Sequence, residues 1–268
     1  MASQFDGKVA IVTGSSAGLG EAIALLFASR GARVTLCGRD QDRLQSVLDK
    51  AVKVSRGHED RFLTVLGDLT DANVRKEILE QTVNKFGQLD ILVANAGVAG
   101  GRTFPDETED NYNRVFDTNL KSVFFLIQKA VPYLEKTKGN IVSISSIATS
   151  VLIPSETTYS LTKAALDHLT RCLAVDLGSK GIRVNAVNPG YFPTLIVRDK
   201  GDPDVINRYI EKAEQNRVPL KDRVGVSQDV AEAVAFLASD AAGFITGELV
   251  KVDGGRSYAG PFTQSGEK

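Results

Sequence analysis

The chain predicts one α/β domain built on a single doubly wound parallel sheet. Three observations predict it. Short, almost wholly apolar runs recur along the 268 residues, each is followed by a longer stretch with apolar residues at helical spacing, and no Pro-, Gly- or Ser-rich linker divides the chain. Runs that are apolar throughout belong to strands buried on both faces, as in a parallel sheet whose crossovers are helices.

Residues 9–12 form the first such run; a Gly-rich turn follows, and residues 20–29 carry a helical pattern. The unit repeats as strand 33–37 with helix 41–54, strand 62–66 with helix 72–86, and strand 89–94. A long helix over 109–134, strand 140–145, helix 158–177 and strand 183–187 continue it. A loop bearing Pro189, Pro193 and Pro203, helices near 204–216 and 228–239, and a strand at 249–252 complete the domain, which is expected to occupy residues 1–268. Residues 191–223 are expected to form a substrate loop, and 259–268 a polar, disordered tail.

Composition narrows the function classes. With 43% apolar and 24% charged residues the chain is of ordinary globular type, and 32 Lys plus Arg against 33 Asp plus Glu offer no charge excess for nucleic acid or an anionic membrane. The longest apolar run, 123–127, is far short of a membrane span, and no charged-then-apolar leader precedes Lys8. Cys37 and Cys172 make no disulfide framework or metal-ligand spacing, so ordinary buried thiols in a reducing, cytoplasmic setting are expected, and two histidines leave little room for a histidine metal site; no metal is expected.

The chemistry begins at Thr13-Gly14-Ser15-Ser16-Ala17-Gly18-Leu19-Gly20, between the first strand and the first helix. Glycines let backbone pass close to a ligand, and the helix's unpaired N–H groups attract a phosphate. The spacing is Gly-x-x-x-Gly-x-Gly, and by itself it also fits a plain turn before a helix. At the end of the second strand, where a carboxylate would meet the adenosine ribose of NAD, Cys37-Gly38-Arg39 presents a cation for the 2′-phosphate of NADP, with Asp40 as a competing partner. NADP(H) is therefore favoured and NAD(H) is the alternative, since no basic residue of the Gly-rich loop assists Arg39. Asp68 either accepts from the adenine amino group or caps the following helix.

Tyr159 and Lys163, four apart, share one helical face, and a lysine beside a phenol draws its titration down from about 10. Ser146, at the end of the preceding strand, can hydrogen-bond a carbonyl oxygen as it gains charge. His168, nine residues past Tyr159, is turned away from that face.

Taken together, Thr13-Gly14-x-x-x-Gly18-x-Gly20, Asp68, Asn95-Ala96-Gly97, Asn119, Ser146, Tyr159-x-x-x-Lys163, Asn188-Pro189-Gly190 and Asp253-Gly254-Gly255 resemble the short-chain dehydrogenases/reductases over residues 5–258. The resemblance implies a Rossmann-type fold and a hydride transfer between nicotinamide cofactor and a carbonyl or alcohol. It gives Tyr159 the role of general acid and base, and Ser146 that of substrate-oxygen stabiliser. Lys163 would bind the nicotinamide ribose and lower the Tyr titration, and Asn119 would hold a water linked to the lysine. Gly14, Ser15, Ser16, Gly18, Leu19, Gly20, Arg39 and Asp68 would hold the adenosine and phosphate end. Asn95, Ala96 and Gly97 would line its ribose, and Pro189, Gly190, Phe192 and Thr194 would border the nicotinamide. Ala94 stands where the family commonly has a first asparagine.

Substrate choice is expected in residues 98–105, 147–156 and 191–223, whose Ile147, Val151, Leu152, Ile153, Leu195 and Ile196 fit an apolar ketone or secondary alcohol. Lys200-Gly201-Asp202-Pro203 reads as a lid. Phe124, Phe125, Leu166, Leu169, Leu173 and Val175 exceed one core-facing stripe, which together with the resemblance predicts a homotetramer or homodimer. A 3-oxoacyl thioester reductase, needing a basic surface from residues such as Arg102, Lys121 and Arg198, and a catalytically silent nucleotide sensor are the alternatives.

Overall fold

The computed structural model describes residues 3–196, 202–215, 217–220, 223 and 225–259. Val197, Arg198, Lys200 and Gly201 of the expected substrate loop and lid, and residues 260–268 of the expected tail, lie outside these.

The strands are β1 (Val9–Val12), β2 (Arg33–Gly38), β3 (Phe62–Leu66), β4 (Ile91–Ala94), β5 (Asn140–Ile144), β6 (Arg183–Pro189) and β7 (Leu249–Val252). They form one parallel sheet in the order β3-β2-β1-β4-β5-β6-β7. The helices are α1 (Gly18–Ser29), α2 (Gln41–Val54), α3 (Ala72–Phe86), α4 (Glu109–Phe116), α5 (Ser122–Thr137), α6 (Thr157–Gly178), α7 (Pro203–Gln215) and α8 (Ser227–Ala238).

Alternation along the strands divides the core into two apolar layers. Ala10, Val12, Val34, Leu36, Ile91 and Val93 face the layer that holds residues of α1, α2 and α8. Ile11, Cys37, Leu92, Ala94 and Ile141 face the other, with residues of α3, α5 and α6. The chain runs outward from β1 in both directions, so the loops after β1 and β4 part at the carboxyl edge and leave a crevice between them, the usual ligand position of an open parallel sheet.

Helix starts follow local chemistry: Asp40 accepts from Arg43 N at 3.0 Å to begin α2, and Asp71 from Asn73 N at 2.8 Å to begin α3. Asp68 is therefore not the cap of α3. The expected single helix over 109–134 is also corrected: a π-turn at Asp117–Lys121 separates α4 from α5. Within it the Ser122 hydroxyl donates to Thr118 O at 2.6 Å, and the extra residue turns Asn119 fully inward.

Candidate active site

The crevice is a cleft of about 400 Å³ at the carboxyl ends of the strands, lined from the Gly-rich loop to the first turn of α6 and to Thr194. At its start the chain needs glycine for two reasons. Gly14 and Gly18 have φ of +64° and +60°, and a Cβ on Gly20 would lie 2.3 Å from Gly14 O and 2.4 Å from Asn95 Nδ2. The loop is thus folded tightly over the end of β4, where Asn95 donates to Thr13 O at 2.8 Å and Thr13 Oγ1 accepts from Asn95 N and Ala96 N at 3.0 and 3.1 Å. Ala17 precedes α1 without any side-chain cap, so the helix's first N–H groups stand at the cleft wall, open to an anion.

The structure brings Gly14, Ser16, Gly18, Leu19, Gly20, Arg39, Asp68, Asn95, Ala96 and Gly97 to this wall. Ser15 departs from expectation. It is fully buried, its hydroxyl accepting from Cys37 N at 2.8 Å and donating to Cys37 O at 3.4 Å, so it ties the loop to β2.

At the end of β2 the partner of Arg39 is Asp68, at 3.1 Å, and not the adjacent Asp40, which pairs with Arg43 at 2.7 Å. Both arginines line the cleft. Arg43 is the second cation that the Gly-rich loop lacks; it went unnoticed because it lies one helical turn past the strand end, where it reads as a surface residue of α2. Asp68 also accepts from Thr70 N and Thr70 Oγ1, each at 2.9 Å. These bonds and the Arg39 charge outweigh burial and hold its carboxyl below the usual range. An uncapped helix start, a loop that tolerates no added Cβ, and two arginines at the ribose end together fit a dinucleotide.

Tyr159, Lys163 and Ser146 meet at the other end. Ser146 Oγ accepts from Ala148 N at 3.1 Å, which leaves the hydroxyl proton to donate. Burial pushes the Tyr159 phenol up to about 12; a hydrogen bond with Ser146 opposes this and the Glu156 charge adds to it. Burial likewise brings Lys163 down to about 8, against the pull of Asp167. Burial thus acts on the phenol in the direction opposite to the lowering expected from Lys163, whose ammonium donates to Ile144 O at 2.8 Å and stands 5.6 Å from the centre of the Tyr159 ring.

Asn119 is held by three bonds. Its Oδ1 accepts from Val98 N at 2.8 Å, while Nδ2 donates to Val98 O at 2.9 Å and to Thr162 Oγ1 at 3.2 Å. Its side chain clamps the chain leaving β4 onto α6. Pro189, Gly190, Phe192 and Thr194 line the cleft as expected, and Asn188 Nδ2 joins Ser146 O to the buried Asp167 at 3.1 and 3.0 Å. Asp167 and Glu156, both buried, were not singled out in the sequence, where an acid beside a helical Tyr or Lys looks like any solvated residue.

A family model described as enoyl-(acyl carrier protein) reductase matches residues 14–257. A crystal structure of a short-chain dehydrogenase/reductase of unknown function from Caenorhabditis elegans, with cofactor, superposes with a TM-score of 0.90 at 34% identity, covering 96% of this chain and 98% of that one. The chain belongs to the short-chain dehydrogenase/reductase family. Within the family it is similar to the glucose dehydrogenase of C. elegans, at 40% identity and a TM-score of 0.82 over 95% of this chain and 99% of that one. It is also similar to the 3-oxoacyl-[acyl-carrier-protein] reductase FabG of Thermotoga maritima, 35% identical over 94% of this chain and 98% of that protein. Short-chain dehydrogenases/reductases are nicotinamide-dependent oxidoreductases, and this chain is an oxidoreductase of that family.

Proposed function

We propose that the protein transfers hydride between NADP(H) and an apolar ketone or secondary alcohol, with Tyr159 as general acid and base. The observation that carries this reading is the convergence of Tyr159, Ser146 and Lys163 on one end of a cleft whose other end holds Arg39 and Arg43. The bound nicotinamide supplies the hydride. Tyr159 gives its phenolic proton to the carbonyl oxygen, and the Ser146 hydroxyl donates to the same oxygen as negative charge grows there. Lys163 lines the cleft beside the phenol and is mostly ammonium at neutral pH, with Asp167 favouring that charge. Alcohol oxidation runs the proton the other way and needs phenolate, so a phenol held high predicts oxidation that rises steeply with pH.

NADP is favoured over NAD because Arg39 and Arg43 both border the adenosine end. The substrate end is bordered by Val98, Ile147, Val151, Leu195 and Ile196, which supports an apolar substrate. The acyl-carrier reading is the alternative: Lys121 is exposed, and its pair with Asp117 at 2.9 Å is open enough to exchange for a carrier. The exposed Phe124, Phe125, Leu161 and Val175 on α5 and α6 support a homo-oligomer, although Leu166, Leu169 and Leu173 are taken up by the core. A reducing, cytoplasmic setting remains part of the proposal; Cys37 is buried, whereas Cys172 is exposed, against expectation.

The test is reduced-cofactor absorbance with NADPH and separately NADH, against aliphatic, aromatic, steroidal, sugar and 3-oxoacyl carbonyls. Turnover with NADPH on the apolar ketones supports the reading. Turnover confined to sugars or 3-oxoacyl thioesters, or a preference for NADH, replaces it.

A further inference from the structure

Glu156 has no part in the proton transfer described above, yet it is buried at the cleft wall three residues before Tyr159. A carboxylate is placed there only at a cost unless it is bonded. Its Oε2 accepts from Gly100 N at 3.1 Å, and its backbone forms a parallel bridge with Arg102. Gly100 lies directly against the start of α6: a Cβ there would be in van der Waals contact with Tyr159 N at 3.4 Å and Glu156 Oε2 at 3.5 Å.

The chain from Val98 to Arg102 is otherwise held from the opposite side. Asn119 binds both polar groups of Val98, Arg114 Nη2 donates to Ala99 O at 3.1 Å, and Asn111 Nδ2 donates to Gly100 O at 3.3 Å. From the α6 side, the Glu156 carboxylate bonds this segment at Gly100 N. We infer that Glu156 is a positioning residue: it ties the 98–102 segment, one wall of the substrate space, to the residue that starts the catalytic helix, so that this wall and Tyr159 are fixed relative to each other. The inference rests on the reading of Tyr159 as acid and base.

Two effects of Glu156 are separable. Its oxygen accepts a hydrogen bond, and its negative charge disfavours phenolate at Tyr159. Other charged groups on the elements packed here are Lys163 and Asp167 on α6, Arg102 across the bridge, Glu107 bonded to Thr158, and Arg114 on α4. Glu156→Gln keeps an oxygen at the same reach and removes the charge. Glu156→Asp keeps the charge and withdraws the oxygen by one methylene, too far for Gly100 N.

The experiment measures KM, kcat and the pH profile of both variants with NADPH and the best carbonyl from the panel above, together with hydrogen exchange across residues 98–102. Expected for Glu156→Asp is a rise in KM of about tenfold, the loss of one charge-assisted hydrogen bond, with faster exchange in the segment and an unmoved pH midpoint. Expected for Glu156→Gln is near-native KM and exchange, with the pH midpoint of oxidation moved lower because phenolate forms more easily. Equal KM changes in the two variants, or exchange at 98–102 unchanged by the Asp substitution, overturns the tie. Absence of turnover in the unsubstituted protein would instead refute the functional reading, and the exchange comparison would still decide the tie.

Discussion

Arg39→Ala should weaken NADPH binding by about 10- to 100-fold and change NADH binding by less than about twofold. The magnitude follows from the geometry. Arg39 and Asp68 are 3.1 Å apart with side chains 51% and 42% exposed, and an ion pair this open contributes about 0–1 kcal/mol. Its replacement by a 2′-phosphate therefore costs little. A charge-assisted hydrogen bond to that phosphate contributes about 1.5–3 kcal/mol, which gives the stated range. Asp68→Asn keeps an oxygen for Thr70 but withdraws the competing charge, so it should tighten NADPH by up to about fivefold. Arg43→Ala should weaken NADPH as well, since its pair with Asp40, at 2.7 Å with side chains 45% and 39% exposed, is as open as that of Arg39. The assay is titration of reduced-cofactor fluorescence, repeated at high salt, where the NADPH advantage should shrink. Equal weakening of both cofactors by Arg39→Ala would refute the assignment of Arg39 to the 2′-phosphate.

Three further outcomes are expected. Lys163→Met should abolish turnover and change the pH dependence of unfolding, because burial brings Lys163 down from 10.5 to about 8. Since the folded value lies below the unfolded one, the cost of keeping the ammonium is full below pH 8 and vanishes as pH rises through 10.5, so the unsubstituted protein should gain stability relative to Lys163→Met between those values; a stability difference between the two proteins that is the same at pH 7 and pH 10.5 would contradict it. Asn119→Ala should cost about 2–5 kcal/mol in denaturant unfolding by leaving both polar groups of Val98 unpaired, and a loss under about 1 kcal/mol would show the clamp to be dispensable. Gly20→Ala should lose cofactor binding, as the new methyl meets Gly14 O at 2.3 Å, whereas Gly178→Ala, with no heavy atom within 4 Å, should be neutral or slightly stabilising; equal thermal stability and cofactor affinity in the two would refute the close packing.

Most strands and helices were legible in the sequence because burial on both faces, complete in β1 and β4, writes itself as unbroken apolar runs. The π-turn was not. Residues 109–134 keep helical spacing straight through it, and the inward rotation of Asn119 is decided by its bonds to Val98, 21 residues away in the chain. The same holds at the site. Gly14, Gly18 and Gly20 announce themselves through their spacing, and Tyr159 and Lys163 through a shared helical face. Whether Arg39 meets Asp40 or Asp68, and whether Ser15 faces the cleft or β2, depends on which loops the sheet brings together. The effect of burial on the Tyr159 phenol was not legible for a related reason: sequence spacing reports the charge nearby but not the loss of water around the phenol. Glu156 shows the limit most plainly, since its partner is Gly100, a residue with no side chain to advertise the contact.

The measurement that bears most directly on the account is turnover and NADPH affinity of Tyr159→Phe, side by side with the unsubstituted protein. The account predicts that carbonyl reduction falls to background while the NADPH dissociation constant stays within about twofold, because the ring remains and only the proton donor is removed. A variant that keeps most of the unsubstituted rate would contradict it.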